Sequence, residues 1–539
     1  MPRIRLILPA LFLLTLAACS TPTLPPKVIT ATPERPQSPE RVYPGLERLA
    51  ECEVSGEQLS AFPEPEFDDL WNRLRAGYSL GGIQHPRIDK HLDWYLKHPS
   101  YMARVSERGS RYLFYILEQI EARGMPMELA LLPIVESAFD PFAYSHGRAS
   151  GMWQFIPGTG RQYGLKQNWW YDGRRDVVAS TNAALDYLSD LHRRMGGDWL
   201  LALASYNTGE GNVRKAIRKN KRQGLPTDFW SLRLPRETRA YVPQLLALSR
   251  LVMYPESYQV QLSEVPNKPY FDVVDTGGQI DLAQAADLAE MDINDLYKLN
   301  PGFNRWATDP KGPHRLLVPV AKAEGFRRNL QQLPLSARVS WERYKIKSGD
   351  SLIAIAKRFD TTPAVLREHN NIRGNNIRAG KMMLIPKASA SAKHYAYSED
   401  ERLKRTQSKR RGGESARKIQ YTVKSGDSLW TIARAHGVNV SQLAKWNGMA
   451  PKDTLRVKQK LVIWKASAPL TQAKMPRNTT KPVVRKLAYK VRKGDSLARI
   501  AGKFNLSVNE ILAWNPIKKN GYIHPGQSLT LFVDVTRTN

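Results

Sequence analysis

The sequence predicts a multidomain protein, mainly α-helical in its first half and built of small βααβ modules on flexible linkers in its second. Three observations carry that expectation. Between residues 110 and 250 apolar residues recur at helical spacing, and strand-like alternation is scarce. Beyond residue 340 the same pattern is written three times. Stretches rich in Ser, Ala, Lys, Arg and Thr, at 387–418 and 465–486, separate the copies as flexible linkers separate independently folded units. A length of 539 residues suits roughly three or four domains, and 42% hydrophobic residues supply apolar material for their cores.

In chain order, Arg3 and Arg5 precede an apolar run from Leu6 to Leu16. The run is too short to span a bilayer and ends in small residues, so residues 1–18 read as a secretory signal. Leu16-Ala17-Ala18-Cys19 resembles a bacterial lipobox. That resemblance implies cleavage before Cys19, acylation of its thiol and amine, and attachment to a membrane through that lipid. Ser20 and Thr21 are not the aspartate that retains lipoproteins at the inner membrane, which implies an outer-membrane lipoprotein facing the periplasm of a Gram-negative cell. Residues 19–45 are Pro/Thr-rich and form an extended tether. With lipid on Cys19, the second cysteine, Cys52, has no partner, so no disulfide framework is expected. There is no CxxC or HExxH, and neither a metal nor another cofactor is expected. The net charge of +31 suits nucleic acid, anionic lipid or an acidic polymer such as a cell wall. The secretory signal conflicts with nucleic acid, and much of the charge sits in linkers, where it solvates a spacer.

Residues 46–254 form the helical domain. Leu113, Ile116, Leu117 and Ile120 share one helical face; Ala183, Ala184, Tyr187, Leu188 and Leu191 share another, and Asp198 is a candidate N-cap. Another stripe, Met125, Leu129, Leu132, Glu136 and Phe139, is apolar except for one carboxylate. Burial disfavours an ionised carboxylate, so Glu136 is expected to hold its proton near neutrality. A protonated acid in an apolar cleft is what cleavage of a glycosidic bond requires. The nearest other carboxylate, Asp140, precedes Pro141 and reads as a turn residue.

Glu136-Ser137 opens a pattern that continues through Ala143, Ser145, Gly147 and Gly151-Met152-Trp153-Gln154-Phe155. It resumes at Ala204-Ser205-Tyr206-Asn207-Thr208-Gly209 and ends near Glu237-Thr238-Arg239-Ala240-Tyr241-Val242. Over roughly residues 110–245 this resembles the soluble-lytic-transglycosylase catalytic domain, which implies a lysozyme-like helical fold. The resemblance implies an enzyme, a carbon–oxygen lyase that cleaves the β-1,4 bond between N-acetylmuramic acid and N-acetylglucosamine in peptidoglycan glycan strands. The new ends would be 1,6-anhydromuramic acid. By the same resemblance Glu136 is the catalytic acid and base, and Ser145, Met152 and Gln154 fall at positions lining the cleft. Tyr206 and Asn207 contact the substrate near the cleaved bond, and Tyr241 hydrogen-bonds the carboxylate. Two rival readings stay open: a hydrolytic muramidase of the goose-lysozyme type, and a non-catalytic peptidoglycan-binding scaffold.

The repeats begin at Tyr344, Tyr421 and Tyr489, and each contains Gly-Asp-Ser-Leu and a later Asn. Each reads as a strand, a turn, two small helices and a closing strand. Leu352, Ile355, Ala356 and Phe359 share the first helix's face, matched by Leu429, Ile432, Ala433 and His436 and by Leu497, Ile500, Ala501 and Phe504. The three copies, at residues 342–386, 419–464 and 487–533, resemble LysM modules, which implies binding of N-acetylglucosamine-containing glycan. Gly349-Asp350, Gly426-Asp427 and Gly494-Asp495 are the candidate glycan-binding turns, and the serine that follows is a candidate helix cap. A fourth, degenerate copy is expected at 268–320: Leu282, Ala286, Leu296 and Asn300 align without gaps to Leu429, Ala433, Leu443 and Asn447. It has Gly278-Gln279 in place of the Gly-Asp turn.

Overall fold

A computed structural model describes residues 67–359, 361–411, 416–466, 484–492, 494–504, 506, 508–517 and 523–534. The signal segment, Cys19, the tether, Cys52 and most of the linker expected at 465–486 lie outside the described residues.

The helical domain comprises α1 (Leu70–Ala76), α2 (Pro86–Leu96), α3 (Pro99–Gly109), α4 (Leu113–Glu121), α5 (Leu132–Ser137), α6 (Pro157–Gln162), α7 (Val177–Arg194), α8 (Trp199–Thr208), α9 (Glu210–Arg222) and α10 (Arg236–Met253). Local chemistry sets several starts: Asp176 caps α7 through Ala179 N at 2.7 Å, and Asp198 caps α8 through Leu201 N at 3.0 Å. The expected apolar face of α4 is buried in full. Long, mostly buried α10 packs against α2 and α8 and carries Tyr241 into the domain's centre.

The stripe from Met125 to Phe139 is not one helix. Pro126 and Pro133 interrupt it. Met127–Leu131 is a 3-10 turn, and α5 starts afresh at Leu132 with Pro133 in its first turn. It ends after six residues, where Ala138 and Phe139 both take left-handed backbone, φ 52° and 54°. The stripe's apolar members are nonetheless buried. Phe139 closes against Gly109, where a Cβ would lie 2.8 Å from its ring.

Four small modules follow, each an antiparallel strand pair carrying two short helices. The first is β1 (Phe271–Asp275), α11 (Leu282–Leu288), α12 (Ile293–Leu299) and β2 (Arg315–Pro319), with α13 (Val320–Gln332) packed onto β1 and β2. The second has β3 (Ser340–Lys345), α14 (Leu352–Arg358), α15 (Pro363–His369) and β4 (Met382–Lys387). After α16 (Glu399–Ser408), the third has β5 (Ala416–Thr422), α17 (Leu429–His436), α18 (Val440–Trp446) and β6 (Lys460–Ala466). The fourth has β7 (Val484–Lys490), α19 (Leu497–Lys503), α20 (Val508–Trp514) and β8 (Ser528–Asp534).

One asparagine per module fastens the second helix to the closing strand. Asn447 Nδ2 donates to Leu443 O and Val462 O, both at 2.8 Å, and its Oδ1 accepts from Val462 N at 2.7 Å. Asn370, Asn515 and Asn300 make the same three bonds. The degenerate copy therefore keeps the device although it lacks the Gly-Asp turn, and Asp281 caps its first helix where the other copies use serine.

Of the linker expected at 387–418, the described residues 387–411 are not a bare spacer, contrary to the sequence expectation. Tyr395 is buried in the core of the degenerate module, and its hydroxyl donates to the Asp281 carboxylate at 2.9 Å. Ser389 N donates to the same carboxylate at 2.9 Å. Ser398 caps α16, whose first turn pairs Glu399 and Asp400 with Arg305. Tyr397 stacks on Phe142 of the helical domain at 5.2 Å, and Arg402 lies over the same ring at 4.7 Å. One Tyr with a satisfied hydroxyl and a few charge pairs order this polar stretch against the fold.

Candidate active site

Glu136 sits in the last turn of α5, partly buried. Tyr241 of α10 donates its hydroxyl to Glu136 Oε1 at 2.5 Å. Oε2 has no protein partner among the described residues. Burial pushes the carboxyl from 4.5 up to about 7; the Tyr241 hydroxyl opposes that shift, and the negative charge of exposed Glu237 adds to it. Near neutral pH the group is thus poised between acid and base. Burial also holds the Tyr206 and Tyr241 hydroxyls well above their ordinary range, with Glu136 as a further cause for both. Both remain protonated donors.

Two further elements close around this carboxyl. From α8, Tyr206 donates its hydroxyl to Trp153 O at 2.7 Å, and Asn207 Oδ1 accepts from Thr238 Oγ1 at 2.8 Å. The other element is the loop from Ala143 to Phe155. Ser137, next to the carboxylate, reaches it through Met152 O at 3.0 Å. Arg174, held bidentate by Asp172 at 2.9 and 2.8 Å, donates to Arg148 O and Phe155 O and clamps the loop's two arms. Gly151 is required there. Its φ is +84°, and a Cβ would lie 2.0 Å from Arg174 O.

The expected site residues fare differently. Glu136, Tyr241 and Tyr206 are brought together, and Asn207 follows Tyr206 at the end of α8. Gln154 has left-handed backbone, φ 49°, and its amide donates to Gly151 O at 2.7 Å, so it shapes the loop as well as its surface. Ser145 is a turn residue: its Oγ accepts from Gly147 N and Ala149 N at 3.2 and 3.1 Å. Met152 does not line a cleft. Its side chain is 0% exposed and belongs to the core, and only its carbonyl meets the site. Asp140 accepts from Phe142 N at 2.9 Å, as expected of a turn. Sequence reasoning missed Ser137 and Thr238. Both lie inside the quoted motifs, but their partners are far along the chain.

The candidate glycan-binding turns of the repeats also carry a structural duty. Asp350, Asp427 and Asp495 are committed internally. Each accepts from the strand tyrosine six residues earlier (Tyr344, Tyr421, Tyr489) at 2.6, 2.8 and 2.7 Å, and from a backbone N–H of the turn. These bonds hold all three carboxyls below their ordinary range. Gly349, Gly426 and Gly494 have φ of +81°, +85° and +89°, which the tight turn demands. The aspartate of each pair therefore latches the turn to its strand. The strand tyrosine also packs edge-on against Phe359, His436 or Phe504, which explains why histidine serves in the second copy.

Comparison with known proteins agrees with this geometry. The Transglycosylase SLT domain family matches residues 115–227, and the LysM-like domain of lytic transglycosylase MltD matches 270–335, a span that includes α13. The LysM family matches 344–386, 421–464 and 489–532. Membrane-bound lytic murein transglycosylase D of Escherichia coli K12 is 39% identical over 393 residues, covering 70% of this chain and 82% of that protein. The chain belongs to the lytic murein transglycosylase D family. A second relative, a putative tributyltin chloride resistance protein of an Alteromonas strain, is 43% identical over 136 residues, or 24% of this chain and 66% of its own. Among solved structures, an inactive mutant of the lytic transglycosylase Slt from Pseudomonas aeruginosa is 26% identical over 27% of this chain and 24% of its own, with a TM-score of 0.22. As in its family, this member of the transglycosylase D group joins a helical SLT domain to small LysM modules with short antiparallel sheets.

Proposed function

We propose that the protein is a peptidoglycan lytic transglycosylase in which Glu136 acts alone, first as acid and then as base. The observation that carries this reading is a carboxyl held at about 7 with one oxygen fixed by Tyr241 and the other open. The protonated Glu136 gives its proton to the glycosidic oxygen, and the bond from that oxygen to C1 of muramic acid breaks. The carboxylate then takes the proton of the C6 hydroxyl of the same sugar as that oxygen attacks C1, which regenerates the acid and leaves a 1,6-anhydro end. No water is consumed. The 2-acetamido oxygen of the reacting sugar stabilises the cationic centre, and the amide of Asn207 holds that group in place.

The LysM modules recruit the enzyme to an insoluble polymer, where several weak sites on one chain raise its local concentration. The family's membrane-bound relatives and the lipobox support an outer-membrane lipoprotein anchored through Cys19. Digestion of purified sacculi tests the core of the reading. The wild type should release soluble muropeptides ending in anhydromuramic acid by mass spectrometry, and Glu136→Gln should release none. Reducing ends would favour the goose-type muramidase, and no release by the wild type would favour a binding scaffold.

A further inference from the structure

The third module, residues 416–466, is seated on the catalytic loop. Residues 144–150 of that loop form a small hairpin: Tyr144 pairs with Ser150, and Ser145 N donates to Ala149 O at 2.9 Å. Asp453 of the module grips this hairpin. Its Oδ1 forms an ion pair with Arg148 Nε at 2.7 Å, and its Oδ2 accepts from the Tyr144 hydroxyl at 3.3 Å. Oδ2 also accepts from Ala450 N in its own loop at 2.8 Å, and the side chain is only 14% exposed. A second contact fixes the module through α16. Leu403 lies against Gly448, and Gln407 Nε2 donates to Asn447 Oδ1 at 3.0 Å. Arg402 of the same helix covers Phe142 at the foot of the hairpin. One surface ion pair contributes little, but contacts from two elements together set an orientation.

That orientation presents a particular end of the module. Asp453 lies in the connection from α18 to β6, and β6 begins where β5 ends, Thr422 facing Lys460. Val423 N donates to Gln459 O at 2.9 Å, and Lys458 N donates to Val423 O at 2.8 Å. These bonds join the connection to the strand that enters the Gly426-Asp427 turn. The end carrying the candidate glycan turn is thus the end set against the hairpin. The same loop, farther along, supplies Met152 O to Ser137, the neighbour of Glu136.

We propose that this seating makes the 416–466 module and the cleft one extended glycan site, in which a strand long enough to reach both is presented to Glu136 in a fixed register. This rests on the reading of the cleft as a lytic transglycosylase site and of the module as a glycan binder. A module on a free tether raises the local concentration of polymer whatever its orientation. A docked module adds its binding only to strands that engage both sites, because a second contact counts only where geometry permits it. Fragments that fill the cleft alone gain nothing from it.

The test uses the full chain and soluble, peptide-free glycan strands graded by length. Wild-type kcat/KM should step up by roughly tenfold once a strand spans module and cleft. Asp453→Lys sets a cation against Arg148 and should remove most of that step. Its turnover of the shortest cleaved fragments and its binding to insoluble peptidoglycan should stay within about twofold of wild type. Arg148→Glu leaves the module untouched, sets a carboxylate against Asp453 and should flatten the step as well. The two substitutions change the net charge in opposite directions, so a shared loss cannot come from general attraction to the strand. Combining them restores an opposite pair and should recover the step to within about threefold. A wild-type rate that does not rise with strand length would overturn the proposal. So would single variants that keep the step, or a double variant as poor as the singles. A wild type that cleaves strands of no length would instead show that the underlying transglycosylase reading is wrong.

Discussion

Holding a carboxyl at about 7 has a thermodynamic consequence that Glu136→Gln exposes. In the unfolded chain the group titrates near 4.5, so below that pH both states are protonated and burial costs nothing extra. As pH rises from 4.5 to 7, the unfolded chain ionises while the folded one keeps its proton, and folding becomes progressively less favourable. Above pH 7 the penalty is constant. The rise from 4.5 to about 7, at about 1.4 kcal/mol for each tenfold change, sets an upper bound between about 3 and 4 kcal/mol; partial contact with water lowers it. Glutamine keeps the shape and cannot ionise, so Glu136→Gln should be more stable than the wild type at pH 8 and nearly equal to it at pH 4. For a domain of this size about 1 kcal/mol moves the transition by 2–4 °C, so a gain of several degrees is expected at the alkaline pH alone. Calorimetry of the full chain at both pH values would show the shift in one transition. Turnover should fall by several orders of magnitude. A variant equally stabilised at both pH values, or destabilised at pH 8, would refute the claim that burial controls this proton.

Three other perturbations follow from the geometry. Tyr241→Phe removes the bond that favours the ionised form, so the Glu136 carboxyl should rise further, by roughly one to two units, and the alkaline limb of kcat/KM should move up by as much in a pH–rate series. Gly151→Ala puts a Cβ against Arg174 O in a left-handed backbone. It should destabilise the helical domain by about 2 kcal/mol or more and abolish activity, read by calorimetry and sacculus digestion. Asn447→Ala deletes three buried bonds from a small module. It should cost about 2–4 kcal/mol, open residues 416–466 to proteolysis, and weaken binding to insoluble peptidoglycan while leaving cleavage of soluble fragments intact.

The sequence made Glu136 legible because a charge inside an apolar stripe is locally improbable. The path of its backbone was not legible, since Pro126 and Pro133 break the periodicity that revealed it. The repeats were readable because each encloses its own core, and the aligned asparagines anticipated a shared device in the degenerate copy. The structural duty of the Gly-Asp turn was not legible: Asp427 serves Tyr421, six residues back, and nothing in the spacing announces an internal partner. Met152 was assigned to the cleft through its motif neighbours, although its side chain turns inward and only its carbonyl faces Ser137. The packing of residues 387–411 depends on Tyr395 meeting Asp281, 114 residues away, beyond the reach of any local pattern.

Digestion of sacculi in ¹⁸O-enriched water reads the chemistry at the cleaved bond itself. If Glu136 passes the C6 hydroxyl proton and water takes no part, the new muramic acid ends should be 1,6-anhydro and carry no label at C1. Reducing ends labelled at C1 would make the enzyme a hydrolase and contradict the assignment of both proton transfers to one carboxyl.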